Sequence, residues 1–526
     1  MHLLRDRWLS IQRTNGQVDR VVPASIVDGI NPPVDLIAPR PDFRGALYQF
    51  LIGLLQTTYA PDDIDEWQER WEHPPGVAEL ETAFGRYEQA FALDGDGPAF
   101  MQDLDPLAAQ KPVAIRGLLI DAGSDSNEYF NKPGEDSGMC PACAAQALFT
   151  LQINAPSGGV GHRVSLRGGG PLTSLVMPRD TRATLWQKLW LNVLPRSEMA
   201  HDPLSGNQSR ASDILPWLSP TRVSDAKGVE TPPGTVHPLQ AYWSMPRRIR
   251  LDFDNAHAGR CCICGEECGQ LVSQYRTKNY GTNYTGFWMH PLTPYVLDPK
   301  REKPPLSMKG QKGGIAYRHW LGLALGTDDK QPPAQVVSYF IACKAAQVGM
   351  RREPVLWCFG YDMDNMKARC WYDATLPLYA IKPSSLRPFQ KAVLALLDVA
   401  REAANLLGKS VKAARFSRPA DAGNDPAVPQ SFWQATETTF YRALKSLADA
   451  DSLDEPALAP IYRNWLVEIR DQTVDLFDEW VLAAPIEEME MKRVVAARSG
   501  LEKWLNAAKP MKEAWKLANA HIKEKA

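Results

Sequence analysis

The sequence predicts an α+β fold: a large, irregular mixed N-terminal domain over residues 1–380, then a C-terminal four-helix bundle over residues 381–526. Three observations lead there. Beyond Ser384, the residues Phe389, Val393, Leu396, Leu397, Ala400, Ala404, Leu407 and Val411 form one apolar stripe at three- and four-residue steps, the period of a helix with one buried face. Ahead of Ser384 the helical and alternating runs are short and broken by proline and glycine. Two close cysteine pairs, Cys140-Pro141-Ala142-Cys143 and Cys261-Cys262-Ile263-Cys264, stand far apart in that first region. Together they offer the four thiolates of a closed tetrahedral zinc site, which fastens a fold and leaves no position open for water.

At 526 residues the chain exceeds what one core organises, and several domains are expected. Hydrophobic residues at 44% and charged residues at 23% are the balance of a globular protein. The net charge of −2 excludes a uniformly basic nucleic-acid coat but leaves room for a local basic face. Nine cysteines fall into two clusters plus Cys343, Cys358 and Cys370, unlike the framework of a small secreted domain. Arg5, Asp6 and Arg7 stand where a signal peptide needs its apolar core. The apolar runs fall short of the ~20 residues that span a bilayer. A cytoplasmic protein with reduced thiols and no membrane contact is the expectation.

Taken in order, the chain opens with a strand from Trp8 to Arg13, then Asn15-Gly16, then a strand from Val18 to Val22. Asn-Gly accepts positive φ at both positions and suits a tight hairpin. Leu47, Phe50, Leu51, Leu54 and Leu55 place a helix within residues 43–60, and helical pattern continues over 63–93 with a break at Pro74-Pro75. An apolar run over 144–153 follows the first cysteine pair, and residues 184–193 suit a helix carrying Trp186, Leu189 and Trp190. Residues 195–238, rich in Pro, Ser, Asp and Gly, read as a long surface excursion. Short β-like runs follow at 248–251, 336–340 and 354–357. The bundle's further helices fit 432–448, 461–482 and 486–506, with a linker at 419–429.

Within this frame, Cys140, Cys143, Cys261 and Cys264 are the expected zinc ligands, while Cys262 and Cys268 leave a second pairing open. The blander reading is a set of buried thiols. The run Ser157-Gly158-Gly159-Val160-Gly161 lacks Gly-Lys-Ser/Thr and does not fit Gly-x-Gly-x-x-Gly, so it is no nucleotide cradle. It is either a plain turn or a backbone that approaches a ligand closely for want of side chains. Asp362 and Asp364 alternate as a Mg²⁺ site would need, and so do Asp252 and Asp254; solvated turns give the same pattern. No His-Glu-x-x-His occurs, and His257 and His290 read as structural. Lys409, Lys412, Arg415 and Arg418 step by three, with no acid between Glu402 and Asp421. They suit either a solvated helix end or contact with a nucleic-acid backbone.

A series of short motifs runs through nearly the whole chain: Leu3-Leu4 with Trp8, Phe100-Met101-Gln102, Asn131 with Pro133-Gly134, Cys140 with Cys143, and Leu166-Arg167-Gly168-Gly169. It continues with Leu191-Asn192-Val193-Leu194, Trp243 with Pro246, Cys261 with Cys264, Trp288 with His290-Pro291, and Gly360-Tyr361. With the change to four helices at the end, this series resembles the large subunit, CasA, of the type I-E CRISPR surveillance complex Cascade. The resemblance implies a non-enzymatic DNA-recognition subunit. Its implied partners are the other Cascade subunits, the guide RNA (crRNA), double-stranded target DNA with its displaced non-target strand, and a separate helicase-nuclease that it helps recruit. It implies that a protospacer-adjacent motif is read from the minor groove and the duplex then wedged open to start an R-loop.

By the same resemblance, Gly158, Gly159 and Gly161 bring backbone into a groove about 6 Å wide. The turn after Tyr361 matches a wedge pushed between base pairs. Family members can carry glutamine there, whereas this chain has Asp364-Asn365-Met366-Lys367, which leaves the tip open by one position. Asn365 is expected at base edges, Met366 in place of lost stacking and Lys367 at a phosphate. Lys278 and Asn279 align with a motif-contacting loop, and Tyr129, Phe130 and Asn131 match the loop that docks near the 5′ end of the guide RNA. The rival from another class is a metal-dependent phosphodiesterase using Asp362 and Asp364.

Overall fold

The computed structural model describes residues 1–122, 138–199, 210–225, 229–310, 313–327, 330–348, 354–364, 366–379, 381–423, 425–483 and 490–519. The fold is α+β and divides into two compact units: residues 1–311 with 328–375, and residues 312–327 with 376–526. Helices and short sheets alternate in the first, and helices dominate the second. Residues 312–327, which the sequence pattern assigns to the first domain, group with the helical unit.

The first unit begins with a three-stranded antiparallel sheet of β1 (Leu9–Arg13), β2 (Val18–Val21) and β3 (Pro33–Ile37), with β1 in the centre. Its hairpin turn differs from the expected one. Gly16 has φ of 85° while Asn15 keeps a negative φ, and the Gly16 N–H donates to the Arg13 carbonyl at 2.9 Å. The turn is therefore a longer loop closed by one left-handed glycine. Next comes α1 (Pro41–Thr58), buried on nearly every side. Phe50 of α1 meets Trp8, Phe91, Phe100, Phe149 and Trp243 edge-on, with ring centroids 5.7 to 6.1 Å apart. Edge-on aromatic pairs of this kind add to plain area burial, and they explain why residues so far apart in sequence share one core.

Beyond α1, the break at Pro74-Pro75 separates α2 (Ile64–Glu72) from α3 (Val77–Gly85), and Asp63 caps α2 by accepting from the Glu66 N–H at 2.9 Å. Further along are α4 (Pro141–Asn154), β4 (Thr173–Pro178) and α5 (Leu185–Trp190), the last opened by a Thr184–Gln187 capping box. The excursion over 195–238 is not wholly on the surface. Trp217 within it is fully buried, and its indole N–H donates to the Ala90 carbonyl at 2.6 Å. Four strands follow, β5 (Arg248–Leu251), β6 (His257–Arg260), β7 (Glu267–Leu271) and β8 (Gln274–Lys278), with β8 antiparallel to β5 and β7 to β6.

The run at 336–340, expected as β-like, is helical: α6 (Gln335–Tyr339) continues into a wider turn over Phe340–Lys344. A short apolar run buried on all sides does not distinguish strand from helix by its period. Lys344 closes that turn, wholly buried, with its ammonium donating to the Leu191 and Val193 carbonyls at 2.9 and 2.6 Å. Its charge lies 4.7 Å from the ring centre of Trp67, which stacks on Trp190. The unit ends in a long hairpin, β9 (Pro354–Asp364) and β10 (Lys367–Pro377), with β9 also pairing β4.

In the second unit, α7 (Pro383–Arg415) runs for 33 residues and packs against most of the others. The expected second helix is two, α8 (Ala427–Ala435) and α9 (Glu437–Ala448), which meet at Thr436. The third is α10 (Glu455–Leu482), and the fourth is α11 (Met491–Ala507), continued past a bend as α12 (Lys509–Ala518) with Pro510 in its first turn. Tyr317 fills the space at the junction of α8 and α9. Its ring stacks on Phe440 at 4.4 Å and its hydroxyl meets Thr436 Oγ1 at 2.8 Å.

His290, in the first unit, carries a pH prediction. The Leu292 N–H donates to its Nδ1 at 3.1 Å, so the ring is neutral with its proton on Nε2. Burial, and then the charge of Arg167, hold its pKa well below the usual 6.5. The unfolded chain takes up a proton as pH falls through 6.5 and the folded chain does not, so stability falls with pH by at most about 1.4 kcal/mol per unit for this group. Urea unfolding between pH 7.5 and 5 is expected to show that decline, with a shallower slope in His290→Phe. An equal slope in both proteins contradicts the assignment.

Candidate nucleic-acid interface and metal centre

Cys140 and Cys143 sit at the N-terminus of α4, with Cys140 as its N-cap and Cys143 in its first turn. Cys261 and Cys264 occupy the turn joining β6 to β7. That turn is closed by the Cys261 N–H on the Glu266 carbonyl at 2.8 Å and by Gly265 at φ of 75°. Met139 and Val272 exchange backbone hydrogen bonds at 2.9 Å and clamp the two knuckles together. The four sulfurs lie within 4.8 Å of one another, and Cys140 Sγ and Cys264 Sγ are 3.9 Å apart. A tetrahedron with metal–sulfur bonds of ~2.3 Å has edges of roughly 3.8 Å, so the set fits a metal ion. The Cys140 N–H also donates to Cys261 Sγ at 3.3 Å, as a thiolate ligand would accept it. Cys262 is exposed and the Cys268 sulfur turns to the Gln270 carbonyl at 3.5 Å, so neither belongs to the set.

The glycine run folds as an exposed loop that leaves α4, and its three glycines differ in surroundings. A Cβ on Gly161 would fall 2.8 Å from Asn279 Cβ and 3.0 Å from the Tyr280 ring, and φ is 77°. A Cβ on Gly158 would fall 3.0 Å from an Arg247 nitrogen. Only Gly159, at φ of 97°, faces open space, beside Val160 at 80% exposure. Asn279 braces this loop by donating to the Val160 carbonyl at 2.8 Å, and the Tyr280 N–H donates to the Gly161 carbonyl at 2.8 Å. Lys278 is exposed at the end of β8, opposite Arg248 in the register.

Across from the loop, the β9–β10 hairpin presents Met366 in the left-handed region at φ of 66° and 42% exposed. Its base is fixed. Tyr361 is buried and its hydroxyl donates to Asp42 of α1, while Trp357 meets Tyr48 edge-on at 5.1 Å. Loop and tip line one cavity of about 420 Å³, to which Ser157, Gly158, His162, Arg247, Met366 and Lys367 contribute. Asn365, and also Tyr129, Phe130 and Asn131, lie outside the described residues.

Asp362 and Asp364 meet a guanidinium. Arg369, across the hairpin, binds both oxygens of Asp362 at 2.6 and 3.0 Å and reaches Asp364 at 3.2 Å. Asp252 is buried and pairs with Arg276 at 3.4 Å. The place a divalent ion would need beside Asp362 is taken by fixed positive charge.

In the second unit Lys409, Lys412 and Arg415 lie on the last turns of α7 and line a groove of about 780 Å³ with Phe416 and Trp433. Arg415 also donates to the Trp480 carbonyl and lies over that ring at 5.4 Å. Arg418 falls beyond the helix end, off their common face.

Sequence reasoning missed His162 and Arg247. The signal was there in Arg247-Arg248 directly after Pro246, two adjacent basic residues leading into β5, since neighbours along an extended chain point to opposite sides.

A two-unit α+β chain with four clustered cysteines defines the class of this protein, and solved structures match it over nearly its whole length. CasA of Thermus thermophilus matches with a TM-score of 0.69 at 17% identity, covering 98% of this chain and 99% of that one. Thermobifida fusca Cse1 gives 0.70 at 16%, covering 97% and 98%, and a chain of a CRISPR RNA-guided surveillance complex gives 0.66 at 15%, covering 95% and 99%. The chain belongs to the CRISPR-associated protein Cse1 family, whose match spans residues 2–476, in agreement with the large-subunit resemblance of its motifs.

Proposed function

We propose that this chain is the non-catalytic DNA-recognition subunit of a crRNA-guided surveillance complex. It works with the other Cascade subunits and the guide RNA, reads the protospacer-adjacent motif from the minor groove, wedges the duplex open and helps recruit the helicase-nuclease. The observation that carries the reading is the pairing of an exposed glycine loop with an anchored hairpin tip around one cavity. Backbone at Gly159 reaches a narrow groove that side chains would block, and the degenerate pattern there accounts for tolerance of several motifs. Met366 offers an apolar, exposed end to fill the gap left by unstacked bases. Lys278 and Lys367 supply charge to flanking phosphates, and Lys409 and Lys412 do so for displaced strand. Tyr129, Phe130 and Asn131 dock toward the guide RNA. A zinc ion on Cys140, Cys143, Cys261 and Cys264 fixes the start of α4, from whose far end the glycine loop departs. Such an ion supplies four metal–thiolate bonds and no reactive position.

The rival phosphodiesterase reading loses support because Arg369 already pairs with both Asp362 and Asp364. The test is Gly159→Trp in the assembled complex. Preference for motif over non-motif duplexes is expected to fall at least tenfold, measured as the ratio of dissociation constants at fixed salt. An unchanged ratio refutes the loop's role.

A further inference from the structure

We infer that the cavity beneath the glycine loop is a phosphodiester-binding site built on Arg247, with His162 at its side. Arg247 is 8% exposed, and among the described residues no carboxylate pairs with it. Its neighbour Arg248 shows what an internally balanced arginine looks like here, buried against Asp103 and reaching Asp105 at 3.3 Å. Arg247 instead places Nη1 on His162 Nδ1 and Nη2 on the Pro156 carbonyl, both neutral, and its Nε finds no acceptor among the described residues.

A buried guanidinium without a counter-charge is costly, and an anionic oxygen that accepts from it removes that cost. The surroundings admit one. The guanidinium lines the cavity together with Lys367, Thr277 and Ser157, whose side chains carry a positive charge or a hydroxyl. Asp121 also lines it but is held by Arg40 at 2.8 Å. Gly158 lets the loop close over the arginine, since a Cβ there would press on Nη1. The anion the site takes is a backbone phosphate of the target duplex, next to the point where Gly159 enters the groove. Arg247 would fix the register of the duplex while the loop reads it.

This inference rests on the proposed DNA-reading role, and two measurements separate the failure of one from the failure of the other. In the isolated full-length chain, inorganic phosphate at tens of millimolar is expected to raise the melting temperature by several degrees over chloride at equal ionic strength. Arg247→Met should lose the shift. In the assembled complex, a motif duplex carrying a neutral methylphosphonate at one position at a time is expected to reveal one position that weakens binding about tenfold. Arg247→Gln, which removes the charge and keeps a polar side chain, should blunt that penalty. If no position is sensitive, or the sensitive one is equally so in Arg247→Gln, the inference is overturned even if phosphate stabilises the free chain, which would then mark an ion site only. If the sensitive position is found while Gly159→Trp leaves motif preference intact, the phosphate site stands and the loop-reading role falls.

Discussion

Cys261→Ser is expected to release the metal and unfold the region where α4 and the β6–β7 hairpin meet. The two knuckles come from distant parts of the chain and are joined by the sulfurs, the Met139–Val272 exchange and the Cys262 N–H on the Gly138 carbonyl at 2.9 Å. Without the ion, four thiols crowd one space and must share protons. Hydrogen bonds from Cys140 and Cys143 hold the Cys261 thiol far below its usual range, while the Cys143 thiol, hydrogen-bonded to Cys140 and Cys261, is pushed far above it. Metal binding resolves that competition by displacing the protons, and structural zinc contributes on the order of 10 kcal/mol in small domains. Elemental analysis of the purified chain should give one zinc per wild-type molecule and almost none in Cys261→Ser, with a melting temperature about 9 °C lower, the shift that a loss on the order of 10 kcal/mol gives in 526 residues at about 2.1 cal/mol/K each. Cys262→Ser and Cys268→Ser should retain zinc and melt normally. Metal loss in either of those two, or full occupancy in Cys261→Ser, would show the ligand set to be wrong.

The second large effect is expected at Lys344. Its ammonium satisfies the carbonyls of Leu191 and Val193 just past the end of α5 and sits against the stack of Trp67, Trp190 and Trp186. Lys344→Ala opens a cavity and strands two buried acceptors, each costing about 1 to 3 kcal/mol, for a total near ~4 kcal/mol once the lost packing is included. Lys344→Met keeps most of the volume and strands the same acceptors, so about half that loss is expected. Chemical denaturation of the three proteins would rank them. Equal stability of wild type and Lys344→Ala would mean that the carbonyls find other donors and that the lysine is dispensable.

How far the sequence could be read depended on whether a feature is local. The α7 stripe was legible because its helix buries one face and exposes the other. The meeting of the two cysteine pairs was legible since ligand spacing is itself the chemistry. The helix at 335–344 was not, because it is wrapped on all sides and held by a lysine whose partners lie some 150 residues away. The same holds for Trp217, hidden inside a stretch of loop-like composition. At the candidate site, glycine content pointed to the loop, but spacing does not say that Gly158 makes room for Arg247, that Gly161 makes room for Asn279, or that Gly159 alone faces outward. Asp362 and Asp364 left two readings open for the same reason: the arginine that answers them comes from the opposite strand.

The way β9 is seated has a mechanical consequence. Trp357, Phe359 and Tyr361 root the strand in the body of the molecule and Asp362 is itself buried and bridged to Gly310, so the overhang from Asp362 to Met366 is no more than about 13 Å at about 3.3 Å per residue. A cantilever's deflection grows with the cube of its overhang, so a prong this stubby bends little under load. Under the proposed wedge role, work done in forcing helical strands apart would go into their separation and not be dissipated in flexing the tool.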